Sequence, residues 1–205
     1  MKLELLVDDV RSDVHRLVVD GEAFRILPKV FYGFRKFKLK AQALEELEVE
    51  LEEIEKKGVK RYALNRLAAK GYHSEELQRL LLRKGASFPV IALVLQECRD
   101  SGFINDLQWI ESTVNRLQRE KKGANFISQK LKGMGISDRE ILPFLQKVKD
   151  GEEVSIRRLI ETKYRNRNLL ESKEKQKVIA SLARKGFSFC NIVKELVNLQ
   201  RDQDN

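Results

Sequence analysis

Lysine and arginine side chains recur at helical spacing along this chain, mostly in its second half. Spacings of three and four residues place several of them on shared helix faces. A surface of this kind binds polyanions chiefly by displacing counterions from phosphates, whereas the alternative is a solvated polar face. The candidates for contact with a polyanion are Arg66, Arg116, Arg119, Lys121, Lys122, Lys130, Lys132, Arg157, Arg158, Lys163, Arg165, Arg167, Lys173, Lys175, Lys177, Arg184 and Lys185.

The distribution of charge supports this interpretation. The chain of 205 residues has a net charge of +9. Residues 1–106 hold 19 basic and 18 acidic side chains, whereas residues 107–205 hold 21 and 13. A basic half beside a neutral one is typical of proteins that bind nucleic acids. A protein that merely has a high isoelectric point is the alternative.

Residues able to catalyse a reaction are not grouped in this sequence. The two histidines, His15 and His73, stand alone, and we expect each to be a surface or helix-capping residue. Nucleotide-binding glycine loops and metal-binding Cys/His spacings are absent from the sequence. The paired acids Glu52-Glu53 and Glu152-Glu153 are poor catalytic pairs, because adjacent helical residues point in different directions. We therefore predict no enzyme, no cofactor and no metal.

The cysteines and the hydropathy of the chain indicate its environment. Cys98 and Cys190 lie far apart, so we expect no disulfide and a reducing cytoplasm. The N-terminal MKLELLVDDV carries acids within its apolar run and is not expected to be a signal peptide. No apolar run approaches the roughly 20 residues of a membrane span, so we predict no membrane partner.

An internal repeat organises the second part of the chain. Three segments align on Gly85, Gly135 and Gly186, which are spaced by 50 and 51 residues. In each copy a leucine lies four positions before the glycine and a serine two positions after it. An isoleucine and a leucine follow at six and ten positions after the glycine, and an Asn-Arg pair begins 20 positions before it. This spacing predicts a helix, a glycine turn and a second helix whose first residue is capped by serine.

A further helix precedes each of these pairs, at 61–69, 107–121 and 153–169. The unit is therefore three helices, present three times. We predict repeats at 59–106, 107–151 and 152–205, the last including a polar tail. The fold class is mainly α.

The first 58 residues differ from the repeats. Two apolar runs around Asp20-Gly21 predict a β-hairpin with a type I′ turn. The hairpin and the basic, aromatic connector FYGFRKFKLK form a predicted extension at 1–40. A Glu-rich helix follows at 41–58, with Leu44, Leu47, Leu51 and Ile54 on one face and its glutamates in solvent.

Two aromatic residues flank a turn near the start of the second repeat. Phe103 and Trp109 could stack on nucleic-acid bases. We favour the alternative, in which both are core residues at the start of a helix.

Several motifs are similar to those of one protein family. They are HSEEL at 73–77, GFINDLQW at 102–109, the step from Gly123 to Ile127, KLKGMGIS at 130–137 and KEKQKVIASLARKGFS at 173–188. In these motifs the chain resembles the RecX regulatory proteins, modulators of the RecA recombinase, over about residues 60–199. Residues 14–40 also resemble a hairpin extension found in some members.

The resemblance implies an elongated, curved body of three-helix repeats lying in the groove of a RecA–single-stranded DNA filament. It implies a protein of DNA repair, recombination and the SOS response. We expect a cytoplasmic monomer, although the sequence leaves the oligomeric state open. Such a protein limits filament growth, ATP hydrolysis and strand exchange, and its cationic residues would contact DNA or filament. Double-stranded DNA is a further partner to test. Two alternatives stay open: a helix-turn-helix regulator acting without RecA, and a scaffold whose charge serves solubility.

Overall fold

The structure is a computed structural model that describes residues 1–7, 13–33 and 39–203. Within these ranges the chain is mainly helical, with ten helices and a small N-terminal sheet of three strands. This confirms the predicted fold class. Part of the predicted basic connector, residues 34–38, lies outside the described residues. Two compact units are present, residues 1–106 and 107–205.

The N-terminal sheet is antiparallel, in the order β1 (Leu3–Val7), β2 (Val14–Val19) and β3 (Glu22–Pro28). Asp20 and Gly21 join β2 to β3 with φ values of 49° and 92°, the positive values that a type I′ turn requires.

The sheet differs from the sequence prediction in two respects. Strand β1 was not predicted, because its apolar residues are interrupted by an acid. The expectation of an exposed or capping His15 was wrong, because this side chain is 1% exposed and its Nε2 donates to the Gly33 carbonyl at 3.0 Å.

Helix α1 (Lys29–Tyr32) follows the sheet. The long helix α2 (Leu44–Ala69) packs against α1. Helix α2 is continuous through the Glu-rich segment and the helix predicted at 61–69. A Cβ atom at Gly58 would lie 1.9 Å from the Phe31 carbonyl oxygen, so glycine permits this close approach of the two helices.

Two details of α2 correct the sequence prediction. Leu47 and Leu51 are fully buried as expected, but Leu44 at the helix start is 49% exposed. Glu55 does not lie in solvent with the other glutamates and is 2% exposed. Its carboxylate accepts hydrogen bonds from the Ser87 N–H at 2.6 Å and from the Tyr32 hydroxyl at 3.1 Å.

Helices α3 (Ser74–Arg83) and α4 (Phe88–Asp100) complete the first unit. Their apolar faces share one core with α2 and the sheet. His73 caps α3, because its Nδ1 accepts from the Glu75 N–H at 3.2 Å.

The second unit contains two helical cores. Trp109 packs against the first of them, as predicted, whereas Phe103 in the first unit is 58% exposed and is not a core residue. The helix that begins at Glu152 ends at Lys163, earlier than the predicted 169, and a turn-rich segment follows it. The helices are α5 (Asp106–Arg119), α6 (Ala124–Gly133), α7 (Asp138–Asp150), α8 (Glu152–Lys163), α9 (Ser172–Arg184) and α10 (Phe189–Gln203).

The three aligned glycines lie in left-handed turns between α3 and α4, α6 and α7, and α9 and α10, with φ values of 85°, 91° and 87°. In each turn the residue after the glycine donates its N–H to the carbonyl of the leucine that lies four positions before the glycine. The three N···O distances are 3.1, 3.3 and 3.3 Å. The donor residue and that leucine are both buried. This is the helix-ending motif in which a hydrophobic contact accompanies the backbone bond.

Candidate nucleic-acid interface

Several of the predicted cations are neutralised by acidic neighbours. A nearby carboxylate partly offsets the positive charge, which reduces the attraction to a phosphate. The pairs have N···O distances of 2.6–2.9 Å and are Arg116–Glu120, Lys132–Asp138, Arg157–Glu195, Arg167–Glu174 and Lys177–Glu174.

Three other candidates have different roles. Arg66, in the first unit, donates from Nη2 to the Tyr72 hydroxyl at 2.7 Å, and this bond raises the pKa of the arginine. Arg119 makes a long bond of 3.4 Å to the Asn115 carbonyl on its own helix. Lys175 is held by a further interaction in the first turns of α9. Each of these three side chains therefore already interacts with another group of the protein.

The remaining candidates have no carboxylate within ion-pair distance in the described ranges. Most of them lie near the ends of α5, α6, α8 and α9 or in the segments that follow these helices, whereas Arg158 lies in the middle of α8. Their charges are therefore available to an anionic ligand. They are Lys121, Lys122, Lys130, Arg158, Lys163, Arg165, Lys173, Arg184 and Lys185.

Three of these residues, Lys122, Lys163 and Lys185, lie close enough for the first two charges to act on the third, and they are called the lysine cluster below. Burial lowers the pKa of Lys185, and the positive charges of Lys163 and Lys122 lower it further. The Lys122 ammonium also lies 4.4 Å from the centroid of the Phe126 ring. Like charges that act on one another, with no carboxylate within ion-pair distance of them among the described residues, favour a bound anion.

A close backbone crossing brings the lysine cluster together. The Gly123 N–H donates to the Lys185 carbonyl at 2.9 Å, and the Asn125 N–H donates to the Gly186 carbonyl at 3.0 Å. A Cβ atom at Gly123 would lie 2.5 Å from the Gly186 carbonyl carbon, and one at Gly186 would lie 2.3 Å from the Phe126 nitrogen. Glycine at both positions therefore allows the start of α6 to contact the turn after α9.

A buried carboxylate stabilises the same crossing through hydrogen bonds. Glu152, at the start of α8, is 2% exposed and accepts from the Ala124 N–H at 2.8 Å. It also accepts from the Ser188 N–H at 3.2 Å and the Asn191 side-chain amide at 3.1 Å. One carboxylate thus satisfies backbone donors at the starts of both α6 and α10.

Sequence analysis identified all three lysines but not the residue that positions them. Glu152 was considered only as half of a poor catalytic pair. Its place directly after Gly151 indicates a helix start, but no short-range pattern shows that it reaches two other helices.

The described residues were also searched for other kinds of site. They contain no group of three His, Cys, Asp or Glu residues arranged to hold a metal ion. Across the same ranges, no helix is both long enough and apolar enough to cross a membrane. Cys98 is buried and Cys190 exposed, and both are free thiols.

The fold and this site define a helical protein with repeated glycine turns and a cationic cluster in its second unit. The family model described as "RecX, third three-helix domain" matches residues 152–192. The chain is 27% identical over 189 residues to "Regulatory protein RecX" of Bacillus subtilis (strain 168), covering 90% of this chain and 71% of that protein. It is 29% identical over 134 residues to the protein of that name from Mycobacterium sp. (strain KMS), covering 62% and 73%.

Solved structures show the same fold. One described as "Crystal structure of regulatory protein RecX" aligns with a TM-score of 0.61 at 20% identity, covering 93% of this chain and 96% of that one. Another, of RecX from Lactobacillus salivarius, aligns with a TM-score of 0.58 at 22% identity, covering 71% and 96%. Together the comparisons show that this chain is similar to RecX regulatory proteins over most of its length, shares their fold, and matches the RecX family model in its third repeat.

Proposed function

We propose that this protein is a non-enzymatic regulator of the RecA recombinase that acts on the RecA–single-stranded DNA filament. It limits filament growth, ATP hydrolysis and strand exchange, and it works as a monomer in the cytoplasm. The support from relatives is the name RecX, carried by proteins similar to most of this chain. The observation in the molecule that carries the proposal is the lysine cluster, a site suited to the phosphates of a nucleic acid.

If the lysine cluster contacts phosphates, the salt dependence of DNA affinity can be predicted quantitatively. Each lysine that neutralises a phosphate of a single strand contributes about 0.7 to the slope of log affinity against log salt concentration. Replacing Lys122, Lys163 and Lys185 with Gln should therefore reduce that slope by about 2. Affinity for single-stranded DNA should fall, and the difference from the unchanged protein should shrink at high salt.

A matched control removes the same number of positive charges from the same unit. Arg116, Lys132 and Lys177 are each paired with a carboxylate. Replacing these three with Gln should change DNA affinity and its salt slope much less. Equal losses in the two triple variants would show that net charge alone matters and that the lysine cluster is not the site.

The link to RecA requires a separate assay. The ATPase rate of the cognate RecA on single-stranded DNA should fall when this protein is added well below one copy per RecA subunit. The variant lacking the lysine cluster should inhibit less than the matched control. DNA binding without any change in ATPase rate would instead favour a nucleic-acid-binding regulator that acts without RecA, and binding to neither would favour a scaffold.

A further inference from the structure

A cavity of about 460 Å³ opens in the third repeat, between the end of α8, the segment after it and α10. Its apolar side is formed by Ile160, Leu169 and Leu199, which also belong to or pack against the third core. This volume lies within the range of about 300–1,000 Å³ found for small-molecule sites.

The polar side of the cavity carries groups that can bind a flat heterocycle. Arg165 is exposed and has no carboxylate partner in the ranges that the structure describes. The side-chain oxygen of Asn168 accepts from the Leu170 N–H at 3.1 Å, which leaves its amide nitrogen as a donor. Glu161 adds one carboxylate, an acceptor for a ring N–H or an exocyclic amine of a base.

One aromatic wall of this cavity is fixed in position. The Tyr164 hydroxyl and the Ser181 Oγ are 2.7 Å apart, so the ring is held against α9. The Lys163 ammonium, part of the lysine cluster, lies 5.7 Å from the centroid of this ring. Lys163 is therefore adjacent to the cavity in sequence and contacts the Tyr164 ring that lines it.

A nucleobase matches these features in shape and chemistry. It is flat, its faces stack on aliphatic, aromatic and guanidinium groups, and its edge carries donors and acceptors. An arginine beside the opening also favours a ligand attached to a phosphate. A purely apolar ligand would offer no hydrogen-bond acceptor to the arginine or to the amide of Asn168.

We propose that this cavity receives one unstacked base of a single-stranded nucleic acid whose phosphates lie on the lysine cluster. The proposal rests on the proposed function, because it requires that the protein binds single-stranded DNA. It adds that binding includes one base and is not only phosphate contact.

The test compares two oligonucleotides of equal length, about 20 nucleotides, one with thymine bases and one fully abasic. They carry the same number of phosphates, so contact with phosphates alone gives equal affinities. A base in the cavity should make the thymine strand bind about fivefold tighter or more. Leu199→Trp, which fills the cavity, should remove that preference and leave the affinity for the abasic strand unchanged.

Two further variants exclude trivial explanations. Leu142→Trp places the same ring on an exposed position of α7, which is 57% exposed, and should retain the preference. Arg165→Met alters an exposed side chain and should reduce the preference even if Leu199→Trp does not fold.

The possible failures are distinguishable. Equal affinities of the unchanged protein for the two strands would overturn the base site and leave the proposed function intact. Binding to neither strand would overturn both. A Leu199→Trp protein that still prefers thymine, yet no longer inhibits RecA, would show that the cavity receives a protein side chain instead of a base.

Discussion

Removal of the Glu152 carboxylate tests whether one buried side chain holds the crossing beneath the lysine cluster. Glu152→Ala leaves three donors without their acceptor: the Ala124 N–H, the Ser188 N–H and the Asn191 amide. Ala124 is 3% exposed, so its N–H cannot find water easily. Ser188 and Asn191 are half-buried, so water can partly replace their bonds.

The expected loss follows from these exposures. A hydrogen bond to a charged group contributes about 1.5–3 kcal/mol, and an unsatisfied buried donor costs about 1–3 kcal/mol. We assign about 2 kcal/mol to the buried bond and about 0.5–1 kcal/mol to each half-buried one. Glu152→Ala should therefore lower the free energy of unfolding of the second unit by about 3–4 kcal/mol. Glu152→Gln, which keeps one acceptor oxygen, should lose roughly half as much.

Urea unfolding followed by tryptophan fluorescence is the appropriate assay. The chain has a single tryptophan, and Trp109 lies in the second unit, so the signal reports on the correct part of the molecule. The adjacent acid provides the control, because Glu153 makes a surface ion pair with Lys194 at 2.7 Å. Glu153→Ala should unfold at almost the same urea concentration as the unchanged protein. Similar midpoints for Glu152→Ala and Glu153→Ala would refute this account of the crossing.

Four other substitutions or titrations test separate parts of the structure. Gly186→Ala should cost about 2–4 kcal/mol in the same urea assay, because it combines a left-handed residue with a Cβ atom against the Phe126 backbone. Lys121 adopts φ 58° in the turn before α6, so Lys121→Gly should stabilise the second unit by about 0.5–1 kcal/mol, and a lower midpoint would count against the turn. Hydrogen bonds and charges from two lysines lower the pKa of Glu97 to about 2, so carbon-detected NMR should show its carboxyl titrating near that pH. The contribution of this group to stability is then present above its ordinary pKa of 4.5 and lost as the pH falls towards 2. Burial and like charges lower the pKa of Lys185, so its charge opposes folding below that pKa. Lys185→Gln should therefore raise the melting temperature, and more at low salt than at high salt, because salt screens the repulsion by Lys163 and Lys122 but not the cost of burial.

The helices and their turns were predictable because their signals are local. A glycine in the left-handed region and a leucine four residues before it act within one turn of helix. The serine two residues after the glycine precedes the second helix, but the Ser87 side chain makes no capping hydrogen bond, so the predicted cap was wrong there. The β2–β3 turn at Asp20-Gly21 is local in the same sense. These short-range rules gave the mainly helical fold class with its small N-terminal sheet.

The acids that accept hydrogen bonds from the backbone N–H groups of the repeated serines were not predictable as a set, because they come from different places in each copy. The N–H groups of Ser87, Ser137 and Ser188 all donate to a carboxylate. The acceptor lies 32 residues away in the first copy, three in the second and 36 in the third. Only the second case, Glu140, follows the capping pattern that a sequence displays. Equivalent geometry is therefore reached by unrelated parts of the sequence.

The same long-range pairing separates the predicted cations into two groups. Arg157 and Arg158 are adjacent in the sequence, but Glu195 of a distant helix forms an ion pair only with the first of these. The lysine cluster received no such acid in the described residues, although three like charges there oppose folding. A protein selected for stability alone would gain from an acid at this position, as it has at Arg157. This unneutralised cluster, beside a crossing built from two glycines and a buried glutamate, is our reason for proposing an anionic ligand here, and the salt slope of the triple variant tests that proposal.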